Sequence, residues 1–197
     1  MDQPQRSVVW LTAVLSLLVT VNTSSGLHAQ DRPTKPIVVE NPLIAPPESM
    51  ENMWSRSDAV LRVRIVSSNP KTVGRDPMHV YTEATAEVLK VFKGRSIVGS
   101  VVKFLQVAGE AETPTQIIRV EGATPLPKDH EYVVFLTNSP SAGGLFLSHD
   151  VDGAFEIHDG VVIPHGRSAV AQQHQNLSER RFVDELERLR DRHGVVK

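Results

Sequence analysis

The strongest constraint on the fold comes from residues 79–92, where apolar and polar side chains alternate with a period of two. Glu83 and Glu87 fall on one face. The other face carries Val80, Thr82, Ala84, Ala86 and Val88. This period is typical of a strand with one buried face. After Val88 the apolar positions shift to Leu89 and Val91. A shift within an unbroken strand predicts a β-bulge or a sharp bend, as in the long strands of barrels.

Further strands are expected on both sides of this one. Residues 59–66 alternate in the same way, and a loop is expected at 67–78, where glycine and proline interrupt the pattern. Residues 131–137 are apolar on both faces, which predicts a central strand. The short segment 115–121 is expected at an edge. Asp159 and Gly160 predict a tight hairpin turn. The other predicted strands are 100–107, 145–148, 154–158 and 161–163.

Two helices are expected around the strands. Residues 48–57 place three large apolar side chains on one face, and residues 177–193 carry an apolar stripe at helical spacing. Ser178 is the predicted N-cap of the second helix, with Leu177 and Phe182 as a hydrophobic staple and Gly194 at its end. The stripe predicts packing on the same domain, with a partner protein as the alternative. The apolar positions are Met50, Met53 and Trp54, then Phe182, Leu186 and Leu189.

These elements predict a mainly β chain: a small antiparallel OB-type β-barrel with a short N-terminal helix and a C-terminal helix. Residues 48–197 are expected to form that single domain. A segment with five prolines, residues 30–47, precedes it and is predicted to be an extended linker without a helix or a central strand.

The first 29 residues are typical of a signal peptide. Arg6 precedes an apolar run from Val8 to Val21, which is 14 residues long, whereas a membrane-spanning helix needs about 20. Ala29 is a small residue before the expected cut at Gln30. An uncleaved anchor or a buried helix is the alternative. The sequence therefore predicts export to the periplasm or the extracellular space.

Composition excludes several classes of site. The chain of 197 residues has no cysteine, and its formal net charge of −2 is unchanged when the leader, with one acid and one base, is removed. Disulfides, thiolate catalysis and thiolate metal sites are therefore excluded. Without a basic excess, nucleic acid is not expected as a partner, and the membrane is expected as one only through the export signal.

Four segments resemble the netrin-like domain and the N-terminal domain of the tissue inhibitors of metalloproteinases. They are residues 57–60 (SDAV), 80–82 (VYT), 87–94 (EVLKVFKG) and 131–136 (EYVVFL), within a match covering residues 50–164. The chain also resembles uncharacterised secreted bacterial proteins with that fold. The resemblance implies a five-stranded OB-type barrel with flanking helices.

The inhibitory residues of that family have no counterpart here. The animal inhibitors chelate their target's zinc through an N-terminal cysteine, whereas this chain has no cysteine and its expected mature start is Gln30 in a proline-rich segment. The resemblance therefore implies the fold and does not carry the activity.

No catalytic motif is present. Residues 130–134 begin like a zinc-protease helix with His130 and Glu131, but Val134 stands where the second histidine is required, and the segment is a predicted strand. A second cluster has residue types that suit zinc, although no complete ligand spacing occurs, so exposed polar turns are the favoured interpretation and no metal or cofactor is expected. Its members are His149, Asp150, Asp152, His158 and His165.

The candidate ligand-binding surface is basic. Arg62 and Arg64 share one face of the first long strand, and Lys71 and Arg75 follow in the next segment. OB-type barrels often bind ligands near this connection, so an anionic glycan or peptide is a candidate ligand; a merely solvated face is the alternative. Tyr81 and Tyr132 are interpreted as packing residues.

The resulting functional hypothesis is an exported, non-catalytic binding domain with an unidentified protein, peptide or glycan partner in the cell envelope. A protease inhibitor, by analogy with the family, is the alternative. A metal-dependent hydrolase that uses the histidines and aspartates is a more remote one.

Overall fold

A computed structural model describes residues 37–39, 45–72, 80–112, 117–120, 123–139 and 143–194. The expected signal peptide, most of the linker and Arg75 lie outside these residues. The strands are β1 (Ile37–Val39), β2 (Ala59–Thr72), β3 (Val80–Lys93), β4 (Val101–Gln106), β5 (Glu110–Glu112), β6 (Ile117–Val120), β7 (Glu131–Ser139), β8 (Gly144–Leu147), β9 (Ala154–His158) and β10 (Val161–Pro164). The helices are α1 (Met50–Arg56), α2 (Ala169–His174) and α3 (Glu179–His193), with a 3₁₀ turn at Asp150–Gly153. In the described part of the chain, no helix has the length and apolar character that crossing a bilayer requires.

Five strands close into the expected OB-type barrel. Around the barrel the order is β2, β3, β4, β8 and β7, and β7 pairs again with β2. All pairs are antiparallel except β4 with β8. Strand β7 also pairs with β9, and β9 pairs with β10, so the sheet continues beyond the barrel.

Strand β7 is buried on both faces, as predicted for residues 131–137. Tyr132, Val134 and Leu136 point into the barrel core. Val133 and Phe135 point outward into a second core, beneath the helices. Because neighbouring side chains of a strand point to opposite faces, this one strand contributes to both cores.

The predicted bulge is confirmed at Leu89. Val88 pairs with Val63 and Lys90 pairs with Arg62, which leaves Leu89 as an extra residue of β3. The faces therefore exchange. Before the bulge the even-numbered side chains fill the barrel, whereas after it Phe92 lies in the core beneath the helices.

The loop expected at residues 67–78 is wrong for residues 67–72, because β2 continues to Thr72; residues 73–78 lie outside the described residues. Val66 is an extra residue between the pairs Ile65–Ala86 and Ser67–Thr85. Pro70 is tolerated within this strand because β2 pairs with β7 only up to Arg64, so one side of β2 needs no ladder hydrogen bond at the proline.

A second, three-stranded sheet differs from the expectations. Its order is β1, β6, β5, so the strand within residues 115–121 is central and not at an edge. Strand β1 lies inside the predicted linker and pairs in parallel with β6. Its sequence, Ile-Val-Val, is β-branched and free of proline, which favours an extended strand.

The helices cover one outer side of the barrel. Both predicted apolar stripes are buried there, against Val60, Phe92 and the outward face of β7. Ser178 occupies the N-cap position of α3, but its side chain makes no capping hydrogen bond, contrary to expectation. Leu177 packs in the same cluster as Phe182. Helix α2 was not expected, because six residues are too few to show a helical period.

We expect Phe182→Ala to lower the free energy of unfolding by about 3–5 kcal/mol, since the side chain is fully buried among aromatic neighbours. Chemical denaturation of the variant tests this. Arg181→Ala is the matched control, because the neighbouring side chain is exposed, and its effect should stay within about 0.5 kcal/mol. Equal midpoints for wild type and Phe182→Ala would contradict the docking of α3.

Candidate functional site

Arg62 and Arg64 of the candidate surface share one carboxylate on the outer face of β2. Arg62 Nε donates to Glu131 Oε2 (3.0 Å), and Arg64 Nη2 donates to Glu131 Oε1 (2.7 Å). Arg62 Nη1 also donates to Glu179 Oε1 in the first turn of α3, at 2.6 Å. Partial burial raises the pKa of Glu131, but the hydrogen bonds and charges of the arginines outweigh it, so the pKa is lowered overall. Both arginines thus have intramolecular partners that tie β2 to β7 and α3.

Lys71, the third predicted residue, has a different arrangement. Lys71 Nζ lies 2.6 Å from Glu83 Oε2, and Lys103 Nζ lies 3.4 Å from Glu83 Oε1. The hydrogen bond from Lys71 is the main cause of a lowered pKa at Glu83. Two ammonium groups therefore share one carboxylate, which leaves a local excess of positive charge.

An aromatic pair adjoins these charges. Tyr81 is the cross-strand partner of Lys71, and its ring lies edge-on to Phe146 of β8, with centroids 5.5 Å apart and planes at 81°. Both rings are partly exposed. We call Lys71, Tyr81, Glu83, Lys103 and Phe146 the lysine–tyrosine surface. Lys103 and Phe146 were missed by sequence reasoning, because they lie on strands that meet β3 only in the folded barrel. Tyr132, in contrast, is fully buried in the barrel core.

The candidate metal ligands do not converge. In the described ranges no three His, Asp or Glu side chains are placed to share an ion. His149 Nδ1 faces Ala45 O, while Asp152 Oδ1 accepts from Ser168 N. His158 lies near Glu156, and His165 Nε2 faces Thr124 O. Each of these four side chains therefore contacts a different part of the molecule.

Polar side chains donate hydrogen bonds to the carbonyl groups at the C-terminus of α1, and sequence reasoning also missed these contacts. Lys93 Nζ donates to Trp54 O (2.7 Å), Ser57 Oγ to Met53 O (2.9 Å) and Thr137 Oγ1 to Arg56 O (3.1 Å). Burial lowers the pKa of Lys93. A positive charge at a helix C-terminus is stabilising, so these donors have a structural role.

A crevice between the helices holds Ser49, His174 and Glu185, residue types that occur in hydrolases. His174 Nδ1 lies 2.7 Å from Val170 O and Nε2 lies 3.1 Å from Glu185 Oε2, so both ring nitrogens face acceptors. Neither nitrogen remains to take a proton from Ser49, whose Oγ caps α1 by accepting from Asn52 N. His174 and Glu185 therefore link α2 to α3 as an imidazolium–carboxylate pair.

Burial alone would lower the pKa of His174, but the hydrogen bonds to Glu185 and Val170 O raise it overall. The hydrogen bond from His174 lowers the pKa of Glu185. The crevice therefore favours the charged form of both groups.

No protein-family model matches the chain, and no curated protein matches its sequence.

The His174–Glu185 pair predicts a pH-dependent stability. A raised histidine pKa contributes stability that is fully present below 6.5, the ordinary value, and is lost as the pH rises through the folded pKa. A lowered carboxyl pKa contributes stability that is present above 4.5, the ordinary value, and is lost as the pH falls through the folded pKa. We expect Glu185→Gln to cost on the order of 1 kcal/mol between these values and less at higher pH.

The measurement is the denaturation of wild type and variant at several pH values from 5 to 9. Glu187→Gln is the matched control, because Glu187 is also on α3 and pairs with a lysine, Lys90, and not with a histidine. A Glu185→Gln effect that stays constant from pH 5 to 9 would contradict the charged pair.

Proposed function

We propose that this chain is an exported, non-catalytic binding domain that holds an anionic glycan or peptide of the cell envelope on the lysine–tyrosine surface. The observation that carries the proposal is the sharing of Glu83 by Lys71 and Lys103. The leader pattern supports the compartment.

The charge balance favours an anionic ligand. The side chains of Lys71 and Lys103 are 50% and 65% exposed, whereas that of Glu83 is 24% exposed. The longer contact of 3.4 Å leaves Lys103 the more available of the two cations. A carboxylate or sulfate of a ligand would supply the second negative charge that this trio lacks.

The aromatic pair supplies the apolar part of the contact. Tyr81 and Phe146 offer flat, partly buried rings beside the lysines. Such rings pack against sugar rings or peptide side chains at little cost in side-chain entropy, because they have few rotatable bonds. Binding sites commonly combine apolar rings with a few placed charges.

The position in the fold also supports this surface. The ligand-binding face of OB-type barrels lies on the second and third barrel strands, which are β3 and β4 here. Helices cover the outer side of β7, whereas Lys103 of β4 is 65% exposed and Glu83 of β3 is 24% exposed. This support is an analogy between folds, and the residues themselves carry the chemistry. The resemblance to the netrin-like domain belongs to the same proposal.

The test is a titration with oligogalacturonate and, separately, with an oligoglutamate peptide, followed by NMR chemical shifts. We expect the largest shifts at the lysine–tyrosine surface. Lys71→Gln combined with Lys103→Gln should weaken binding by about five- to tenfold, equivalent to roughly 1–1.4 kcal/mol. Added salt should weaken it as well.

Lys128→Gln is the matched control, because Lys128 is 67% exposed in the turn before β7. Its affinity should equal that of wild type. Equal loss in both variants, or shifts centred on another face, would refute the proposed surface. Chemical-shift changes with oligogalacturonate but not with oligoglutamate would identify the ligand class as saccharide.

A further inference from the structure

Large apolar side chains are well exposed at only four of the described positions, and three of these lie close together in the chain. Ile97 and Val98, in the turn between β3 and β4, are 73% and 61% exposed, and Val101, the first residue of β4, is 62% exposed. The fourth, Val66, is 45% exposed at the bulge of β2. We call the first three residues the β3–β4 tip. Exposed apolar groups gathered in this way mark interaction sites more often than single ones do.

The turn holds these side chains outward. Gly99 N donates to Val88 O (2.8 Å), and Val88 N donates to Ser100 O (2.9 Å). Ser100 closes the turn with hydrogen bonds from N and Oγ to Ile97 O, at 3.0 and 2.6 Å. Gly99 has a φ of +82°, and a methyl group in place of its α-hydrogen would meet no atom within 4 Å. The tip is therefore a fixed projection with open space beside it.

The segment that carries the tip is basic in sequence. Residues 93–106 include Lys93, Arg95 and Lys103 and no acidic residue, although the whole chain has a net charge of −2. Arg95 is exposed two positions before Ile97. Lys103 is 65% exposed two positions after Val101, on the same face of β4. The nearest acid across the ladder is Glu87, opposite Val101, which also interacts with the charge of Arg64.

The shape and composition of the tip fit a lipid surface better than a protein. Protein interfaces centre on aromatic and arginine side chains seated in pockets, whereas this tip projects and is wholly aliphatic. A bilayer interface accepts projecting aliphatic groups without a matching pocket, and anionic headgroups attract the neighbouring cations.

We propose that the β3–β4 tip inserts Ile97, Val98 and Val101 into the interface of an anionic bilayer, with Arg95 and Lys103 at the level of the phosphates. The expectation of membrane contact through the export signal alone came from the net charge, which averages over this local excess. The proposal does not depend on the ligand of the lysine–tyrosine surface. Lys103 is used in both proposals, so the test uses Ile97 and Val98.

The absence of cysteine allows a direct test. The exported form, with its N-terminus checked by intact mass, carries either Val98→Cys or Val66→Cys and is labelled with an environment-sensitive fluorophore. It is mixed with vesicles of phosphatidylethanolamine and phosphatidylglycerol. On adding vesicles, we expect the emission from position 98 to become stronger and shift to the blue. The emission from position 66, the matched exposed valine, should not change.

Sedimentation with the same vesicles gives the second readout. Ile97→Ser combined with Val98→Ser should lower vesicle affinity about tenfold, from the loss of apolar burial, with an unchanged melting temperature because both side chains are exposed. Vesicles of phosphatidylcholine should bind less. Absence of vesicle binding, equal emission from both labelled positions, or unchanged binding by the double variant would overturn the proposal, and the first result would leave the tip as a protein contact.

Discussion

The whole arrangement depends on the burial of β7 on both faces. Its alternate side chains fill the barrel on one side and the core beneath the helices on the other, where Val60 at the start of β2 joins them. A strand of this kind cannot shift by one residue without exchanging the two cores. The Glu131 carboxylate of β7, held by Arg62 and Arg64, ties this strand to β2 on the outside. The barrel and the helical layer are therefore joined by a shared strand and not merely placed in contact.

This shared burial determines which surface remains for binding. The helices cover the outer side of β7 and, after the bulge at Leu89, Phe92 at the end of β3. The outward side chains in the first half of β3 remain partly exposed, and Val101 and Lys103 of β4 remain exposed, together with the turn between the two strands. The lysine–tyrosine surface and the β3–β4 tip both lie there. Ser49 caps α1, and His174 and Glu185 link α2 to α3.

The pattern of apolar residues predicted the long strands, the central strand and the bulge, because burial determines which residue types occur at those positions. The same logic failed at Val66, where another bulge changes the phase in a polar stretch that no core constrains. Strand β1 and helix α2 are too short to show a period. Among the site residues, Lys71 was found from its position in the chain, but Lys103 and Phe146 become its neighbours only through barrel closure. The pairing of Arg62 with Glu179 joins residues far apart in the chain, and no local pattern indicates it.

Native-state hydrogen exchange tests the central claim that the barrel and the helical layer form one cooperative unit. The amides of α3 around Leu186 and those of β4 around Phe104 should exchange with the same free energy, equal to that of global unfolding, because β7 serves both cores. Exchange of α3 at a much lower free energy would contradict the account. The helices would then be a detachable cover, and the face bearing Val133 and Phe135 would become the binding surface to consider.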